Sequence, residues 1–303
     1  MNIEKARSGE LEIAYERIGP ADGTPLLLLQ GSGGQLVMWP DDVLRLLVDR
    51  GFQVVRMDNR DKGLSTRLSW YDDLPRKERP AYTLGAVADD VIAVLDAVGW
   101  DSAHLMGGSF GGVIAQLVAA RHPHRVRSVT MQSVNPSRSL RLNRPKLRTV
   151  LRVFGVMSKD SKTRDDEGEK WAKVFRALAN PVLDEDVAQW REAGRLAFDH
   201  GVDAKGDERL FAALLAAGDR RPQLAAITCP VLVVHGKSDT LCHWKAGRAT
   251  AEAIPGARFL LYPEMGHVPA GPQWAAMVDE ISDLASAADA GLRPLDGDTP
   301  RRR

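Results

Sequence analysis

The hexapeptide Gly107-Gly-Ser-Phe-Gly-Gly112 restricts what this chain can fold into more than any other stretch. A short apolar run, residues 103–106, precedes it and reads as a strand, and a helix rich in Ala, Leu and Val follows over 113–121. A strand that turns straight into a helix needs glycine where the two backbones pass, because a Cβ there would clash. Ser109 then stands at the tip of a sharp, strained turn, with its hydroxyl lifted to the edge of a sheet. The backbone N–H of Phe110 is left free at a helix N-terminus, where developing negative charge is stabilised.

The rest of the chain supplies a setting for that turn. Strand-like runs over 11–17, 25–30, 52–57, 125–132, 229–235 and 257–262 alternate with amphipathic stretches. That pattern predicts an α/β fold with a mostly parallel central sheet flanked by helices. The run Pro25-Leu-Leu-Leu-Leu-Gln30 has the composition of a strand buried on both faces. Thr83 is the expected N-cap of a helix carrying Val87, Val91, Val94 and Leu95 and closed by Gly99. Residues 137–221 show helical spacing with almost no strand signal, so they are expected to form a helical cap between the sixth and seventh strands. Within it, the charged segment 158–170 is expected to loop outward. Residues 1–136 and 222–286 make up the expected core, and the tail 287–303, rich in Pro, Gly and Asp, is expected to be disordered.

A serine hydroxyl is a weak nucleophile until a base accepts its proton. Of the seven histidines, His267 is the expected base: it lies in the Gly-flanked loop Pro263-Glu-Met-Gly-His-Val-Pro269 after the last strand. Asp239, in His235-Gly-Lys-Ser-Asp-Thr240, follows a strand and precedes His267, giving the order Ser, Asp, His. A carboxylate there fixes the histidine tautomer and stabilises the imidazolium. Glu264 is the alternative acid, and its place beside His267 in sequence suits solvent better. Ser32, in Gln30-Gly-Ser-Gly-Gly34, is the expected second oxyanion donor beside Phe110. The turn 58–65 reads as a polar segment knitting the edge loops together. Trp39, Trp171, Phe175, Trp190, Phe198 and Phe211 are candidates for an apolar substrate pocket, although each also suits packing within the cap or beside it.

Composition removes other classes. Forty-one Lys and Arg against 40 Asp and Glu leave a net charge of +1, so no global field gathers nucleic acid or an anionic membrane, and neither partner is expected. Cys229 and Cys242 have no companion at zinc-ligand spacing, so no metal site is expected, and acyl transfer through a serine needs no cofactor. The first ten residues lack the apolar core of a secretory signal, which points to the cytoplasm. Oligomeric state is left open.

Five strings in order, namely Gln-Gly-Ser-Gly-Gly34, Asp58-Asn-Arg60, the serine turn, the Asp239 loop and Gly-His-Val-Pro269, resemble those of the α/β-hydrolase superfamily over about residues 11–286. More narrowly, Gln35-Leu-Val-Met-Trp-Pro40 with Val54-Val-Arg-Met-Asp-Asn-Arg60 and Gly63-Leu-Ser-Thr66 is similar to aclacinomycin methylesterase-like hydrolases. The resemblance implies a serine hydrolase acting on a small-molecule carboxylic ester through an acyl-enzyme, with a methyl ester on a bulky aromatic polyketide as the implied substrate type. The same three residues also serve carbon–carbon bond hydrolases and perhydrolases, and a non-catalytic ligand-binding relative keeps the same fold. Two positions depart from the family: Gln30 stands where most members have His, and Asp61 where Gly is more usual. Serine at position 109 disfavours epoxide-hydrolase and dehalogenase chemistry, which resembling families perform with aspartate at that point.

Overall fold

The computed structural model describes residues 1–70, 82–137, 139 and 142–292. Among these residues, eight strands form one sheet: β1 (Ile3–Ser8), β2 (Leu11–Ile18), β3 (Thr24–Leu29), β4 (Phe52–Met57), β5 (Ala103–Gly108), β6 (Val126–Gln132), β7 (Val231–Gly236) and β8 (Arg258–Tyr262). Their order is β1-β2-β4-β3-β5-β6-β7-β8. β1 and β2 run antiparallel at one edge, and every pair from β4 to β8 is parallel.

The four leucines of β3 account for the layering. Leu27 and Leu29 join one core with Val87, Val91 and Val94 of α2 (Leu84–Val98) and Ile114 of α3 (Phe110–Arg121). Leu26 and Leu28 point the other way, onto Val43 and Leu47 of α1 (Asp41–Asp49) and Met277 and Ile281 of α10 (Pro272–Asp289). Period-two alternation thus serves two apolar layers at once. All four side chains are 0% exposed, and burying each contributes about 1.5–3 kcal/mol. Thr83 caps α2 by accepting from Ala86 N–H, and Gly99 ends it at φ 83°.

Among the described residues, five helices lie between β6 and β7: α4 (Leu147–Met157), α5 (Arg164–Leu178), α6 (Asp184–His200), α7 (Ala204–Ala216) and α8 (Arg221–Leu224), with α9 (Trp244–Glu252) following β7. The two ends of the insertion meet where Arg220 N–H donates to Pro136 O at 2.9 Å. The buried Arg220 guanidinium continues the seam, donating to Gln116 Oε1 and to Asn135 O. Asp61 holds the far side. Its carboxylate accepts from Arg209 of α7 at 2.7 Å, from Tyr82 Oη at 2.8 Å and from Leu68 N–H at 2.7 Å. Asp61 sits at φ 67°, a region glycine prefers. The residue that departs from the family pattern therefore ties the inserted helices to the core.

Three features differ from the sequence expectations. The charged segment 158–170 is not an outward loop throughout, because α5 begins inside it. Thr163 accepts from Asp166 N–H while the Asp166 carboxylate accepts from Thr163 N–H, a reciprocal capping box that starts a helix in a charged stretch. The expected disordered tail begins too early: alanines 287 and 288 continue α10 to Asp289, whose carboxylate lies 3.3 Å from His104 Nε2. Residues 293–303 of that expected tail lie outside the described residues. β1 and α10 were absent from the expectations. β1 is an edge strand with one buried residue, Ala6, and its Glu4 pairs with Arg17 across the ladder, so its pattern is that of a charged edge.

The turn after β4 knits the loops as expected. Asp58 accepts from Leu36 N–H at 2.7 Å and from Leu64 N–H at 2.9 Å, and Arg60 forms a buried pair with Asp90 of α2. Burial pushes the Asp58 carboxyl up to about 6 despite the two backbone donors. Its folded-state value is thus raised above the unfolded one. The stability it contributes is full below the unfolded value of about 4 and is lost as pH rises through about 6. The wild type should therefore lose stability relative to Asp58→Asn between pH 4 and 6 in urea titrations. A difference between the two proteins that does not change with pH would contradict this assignment.

Candidate active site

The turn between β5 and α3 packs against the end of β3. A Cβ on Gly111 would overlap the Leu29 carbonyl, and one on Gly107 would overlap the backbone of Gly111. With both glycines bare, the chain reverses so tightly that Ser109 adopts φ 51°, ψ −112°. Such a conformation costs about 1–3 kcal/mol and persists only where its surroundings enforce it. One enforcing contact is Ser109 N–H donating to Gln132 O at 2.7 Å. Ser109 occupies the N-cap position of α3, yet its hydroxyl makes no capping bond. Phe110 opens the helix, so its N–H has no carbonyl one turn earlier to meet.

Asp239 leaves β7 in a loop that holds both carboxylate oxygens. Oδ1 accepts from Leu241 and Cys242 N–H, each at 2.8 Å, and Oδ2 accepts from His267 Nδ1 at 2.8 Å. Burial alone would raise this carboxyl. Electrostatic attraction to the neighbouring His267 ring and the hydrogen bonds from His235 and His267 outweigh it and hold the group well below the usual carboxylate range. Nδ1 of His267 must carry its proton to donate to the carboxylate, which leaves the Nε2 lone pair facing away from it. Glu264, the alternative acid, is exposed.

Gln132, at the carboxyl end of β6, links the two loops. Its main-chain oxygen fixes Ser109, while its side chain and the Ser133 hydroxyl both donate to the carbonyl of His267. The inserted helices complete the hold, because His267 N–H donates to Leu178 O of α5 at 2.7 Å. Neither Ser109 Oγ nor His267 Nε2 takes part in a hydrogen bond among the described residues.

In the loop after β3, Gln30 folds back so that its Oε1 accepts from Gly31 N–H at 2.8 Å, and Gly34 N–H donates to Gly31 O. The N–H groups of Ser32 and Gly33 have no acceptor among the described residues. Above this loop lie Met157 of α4 and Trp171 of α5, whose nearest atoms stand 3.0 and 3.4 Å from where a Cβ of Gly33 would be.

The six aromatic candidates separate. Trp171, Trp190 and Phe175 form one cluster, with Trp190 centroids 5.9 Å from Trp171 and 5.3 Å from Phe175. Trp171 is the member that reaches the Gly33 loop. Trp39 packs edge-on against Trp274 in the core layer between α1 and α10. Phe211 is 54% exposed on α7, and Phe198 is half-buried on α6.

Sequence reasoning missed Gln132 and His235. The ring of His235 is wholly buried, with Nε2 2.9 Å from Cys242 O and 3.2 Å from Asp239 Oδ2. A position four residues before the acid, closing a strand, is the signal that placed His235 beside it. Of the other histidines, His104 meets Ser128, His122 meets Asp89 and His243 caps α9, while His124 lies in the turn before β6 and His200 at the end of α6. Among the described residues, no group of three or more His, Cys, Asp or Glu gathers as a metal site.

A family model described as the alpha/beta hydrolase fold matches residues 24–270. The chain belongs to that family. It is similar to a rhodomycin D methylesterase from Streptomyces sp. strain C5, at 30% identity over 284 residues, covering 85% of this chain and 89% of the relative. It is also similar to a 2-hydroxymuconate semialdehyde hydrolase from Pseudomonas putida, 27% identical and covering 81% of each chain. The crystal structure of an enol-lactonase from Burkholderia xenovorans LB400 superposes with a TM-score of 0.71 at 24% identity, over 93% of this chain and all of that one, and shares the fold. This α/β-hydrolase is thus related to enzymes that cleave esters.

Backbone proximity at the serine turn has a measurable cost. Gly111→Ala should destabilise the protein by about 1–3 kcal/mol, as overpacking does elsewhere. Gly155→Ala, on α4 with open space around it, should stabilise by about 0.5–1 kcal/mol through helix propensity. Urea midpoints of the two variants check both, and equal shifts would contradict the packing argument.

Proposed function

We propose that this chain is a serine esterase that cleaves a small-molecule carboxylic ester through an acyl-enzyme intermediate. The observation that carries the reading is the 2.8 Å bond between His267 Nδ1 and a deeply buried, ionised Asp239, on the same loop cluster that Gln132 ties to Ser109. Ser109 Oγ attacks the ester carbonyl carbon as its proton passes to His267 Nε2. The carbonyl oxygen gains the negative charge and is met by the N–H groups of Phe110 and Ser32. Collapse expels the alcohol, which takes the proton from His267. Water then attacks the acyl-enzyme with His267 again as base, and the carboxylic acid leaves. Asp239 holds the tautomer and the charge of the imidazolium. No cofactor enters these steps.

Relatedness to rhodomycin D methylesterases supports a methyl ester on a bulky aromatic skeleton as substrate, with the Trp171 cluster and the inserted helices as the wall that contacts it. A carbon–carbon bond hydrolase is the second reading, supported by the similarity to 2-hydroxymuconate semialdehyde hydrolase. The same nucleophile and base would serve it. We place the reaction in the cytoplasm.

Hydrolysis of a p-nitrophenyl and methyl ester series tests the proposal. Ser109→Ala should lower kcat by about 10⁴–10⁶ with an unchanged circular dichroism spectrum, and Asp239→Asn by about 10⁴. Turnover that survives in Ser109→Ala removes the nucleophile assignment. Release of methanol from methyl esters favours the esterase, whereas cleavage of a vinylogous diketone without alcohol release favours the carbon–carbon hydrolase.

A further inference from the structure

The net charge of +1 conceals a strong local imbalance. Between residues 138 and 159 there are seven Lys or Arg and no Asp or Glu. Arg144, Lys146, Arg148, Arg152 and Lys159 are exposed, and none of these five forms an ion pair among the described residues. The contrast with the neighbouring helices is sharp, since Arg164, Arg191, Arg195 and Arg209 are each matched by a carboxylate.

This basic stretch contains α4, and α4 is two-sided. Val153, Val156 and Met157 turn inward and pack with Trp171 and Val174. Leu147, Leu151 and Phe154, at i, i+4 and i+7, form an outward ridge with exposures of 71%, 61% and 71%. Arg148 and Arg152 follow the same spacing one position on, so a cationic row borders the apolar ridge. Large apolar side chains exposed side by side, rimmed by polar groups, are a mark of interaction surfaces.

We propose that the outer face of α4 docks on an anionic lipid surface, with Leu147, Leu151 and Phe154 entering the acyl boundary and the flanking cations meeting the headgroups. Interleaved large apolar and basic side chains on one helix face have the chemistry that interfacial helices use. A second copy of the chain is disfavoured, because a two-fold pair would press one cationic row against another. The placement has a further effect. Thr149 Oγ1 bonds Thr240 Oγ1 at 2.9 Å, beside Asp239, and Met157 reaches the Gly33 loop, so α4 spans the loops around Ser109. A docked α4 presents the site mouth to an apolar ester dissolved in the bilayer. That last consequence rests on the esterase reading, whereas the docking of α4 does not.

Co-sedimentation of the full chain with vesicles tests it, using phosphatidylcholine alone and phosphatidylcholine mixed with phosphatidylglycerol, whose anionic headgroups give a negative surface potential. Wild type should partition to the anionic vesicles and not the neutral ones, and should be released in 1 M salt, where the Debye length falls to about 3 Å. Arg148→Gln/Arg152→Gln and Leu151→Gln/Phe154→Gln should each weaken partitioning about tenfold or more, with solution ester turnover unchanged. Equal partitioning of wild type and variants, or none by wild type, overturns the proposal. So does a concentration-dependent dimer, seen by sedimentation equilibrium without vesicles, that Leu151→Gln/Phe154→Gln abolishes, because a second copy then covers the ridge.

Discussion

Contact between the Gly111 backbone and the Leu29 carbonyl decides how closely α3 approaches the sheet. Everything at the site scales from that distance. It leaves Ser109 no relaxed conformation, so the residue takes φ 51°. It also sets Phe110 N–H and the loop after β3 side by side, because the same β3 that touches Gly111 leads directly into Gly31 and Ser32. The backbone thus sets the loop after β3 against the serine turn, with the Cβ position of Gly31 3.8 Å from Ser109 Cβ, before any side chain chooses a rotamer. The serine turn is clamped between β5 and α3, and positions built directly on strand and helix ends hold geometry more closely than those on free loops.

Asp239 and His267 arrive from the other half of the sheet and are joined to the serine turn through Gln132. One residue thereby sets the relation between β5, β6 and the loop after β8. The buried Asp239 carboxylate is stable as an anion because two backbone N–H groups and two imidazoles surround it, and a buried charge without such partners would be costly. His235 belongs to that set and has no solvent exposure.

Much of this was legible in the sequence. Glycines at 107, 111 and 112 encode a close approach, and apolar runs such as Leu26 to Leu29 encode a strand covered on both faces. Thr83 and Gly99 mark the two ends of α2 through local hydrogen bonding and a positive φ. Each of these signals depends on residues close together in the chain. What escaped depends on distant partners. β1 is polar because its face is at the sheet edge, and nothing local distinguishes it from a loop. α5 starts in a charged segment through the reciprocal bonds of Thr163 and Asp166. Among the aromatics, type and spacing gave no way to tell Trp171, which reaches Gly33, from Trp39, which packs on Trp274. The local charge surplus around α4 was visible in the sequence, but a whole-chain sum averages it away.

The attachment of His267 has a kinematic consequence. Its N–H is bonded to Leu178 in the inserted helices, while its carbonyl is bonded to Gln132 and Ser133 in the core. A shift of the inserted helices against the sheet would therefore have to break one of these bonds or carry His267 with it. α4 is fastened separately, beside Asp239, through Lys146 N–H to Thr240 O and Thr149 Oγ1 to Thr240 Oγ1. The backbone of one residue thus couples the position of the insertion to the aim of the imidazole.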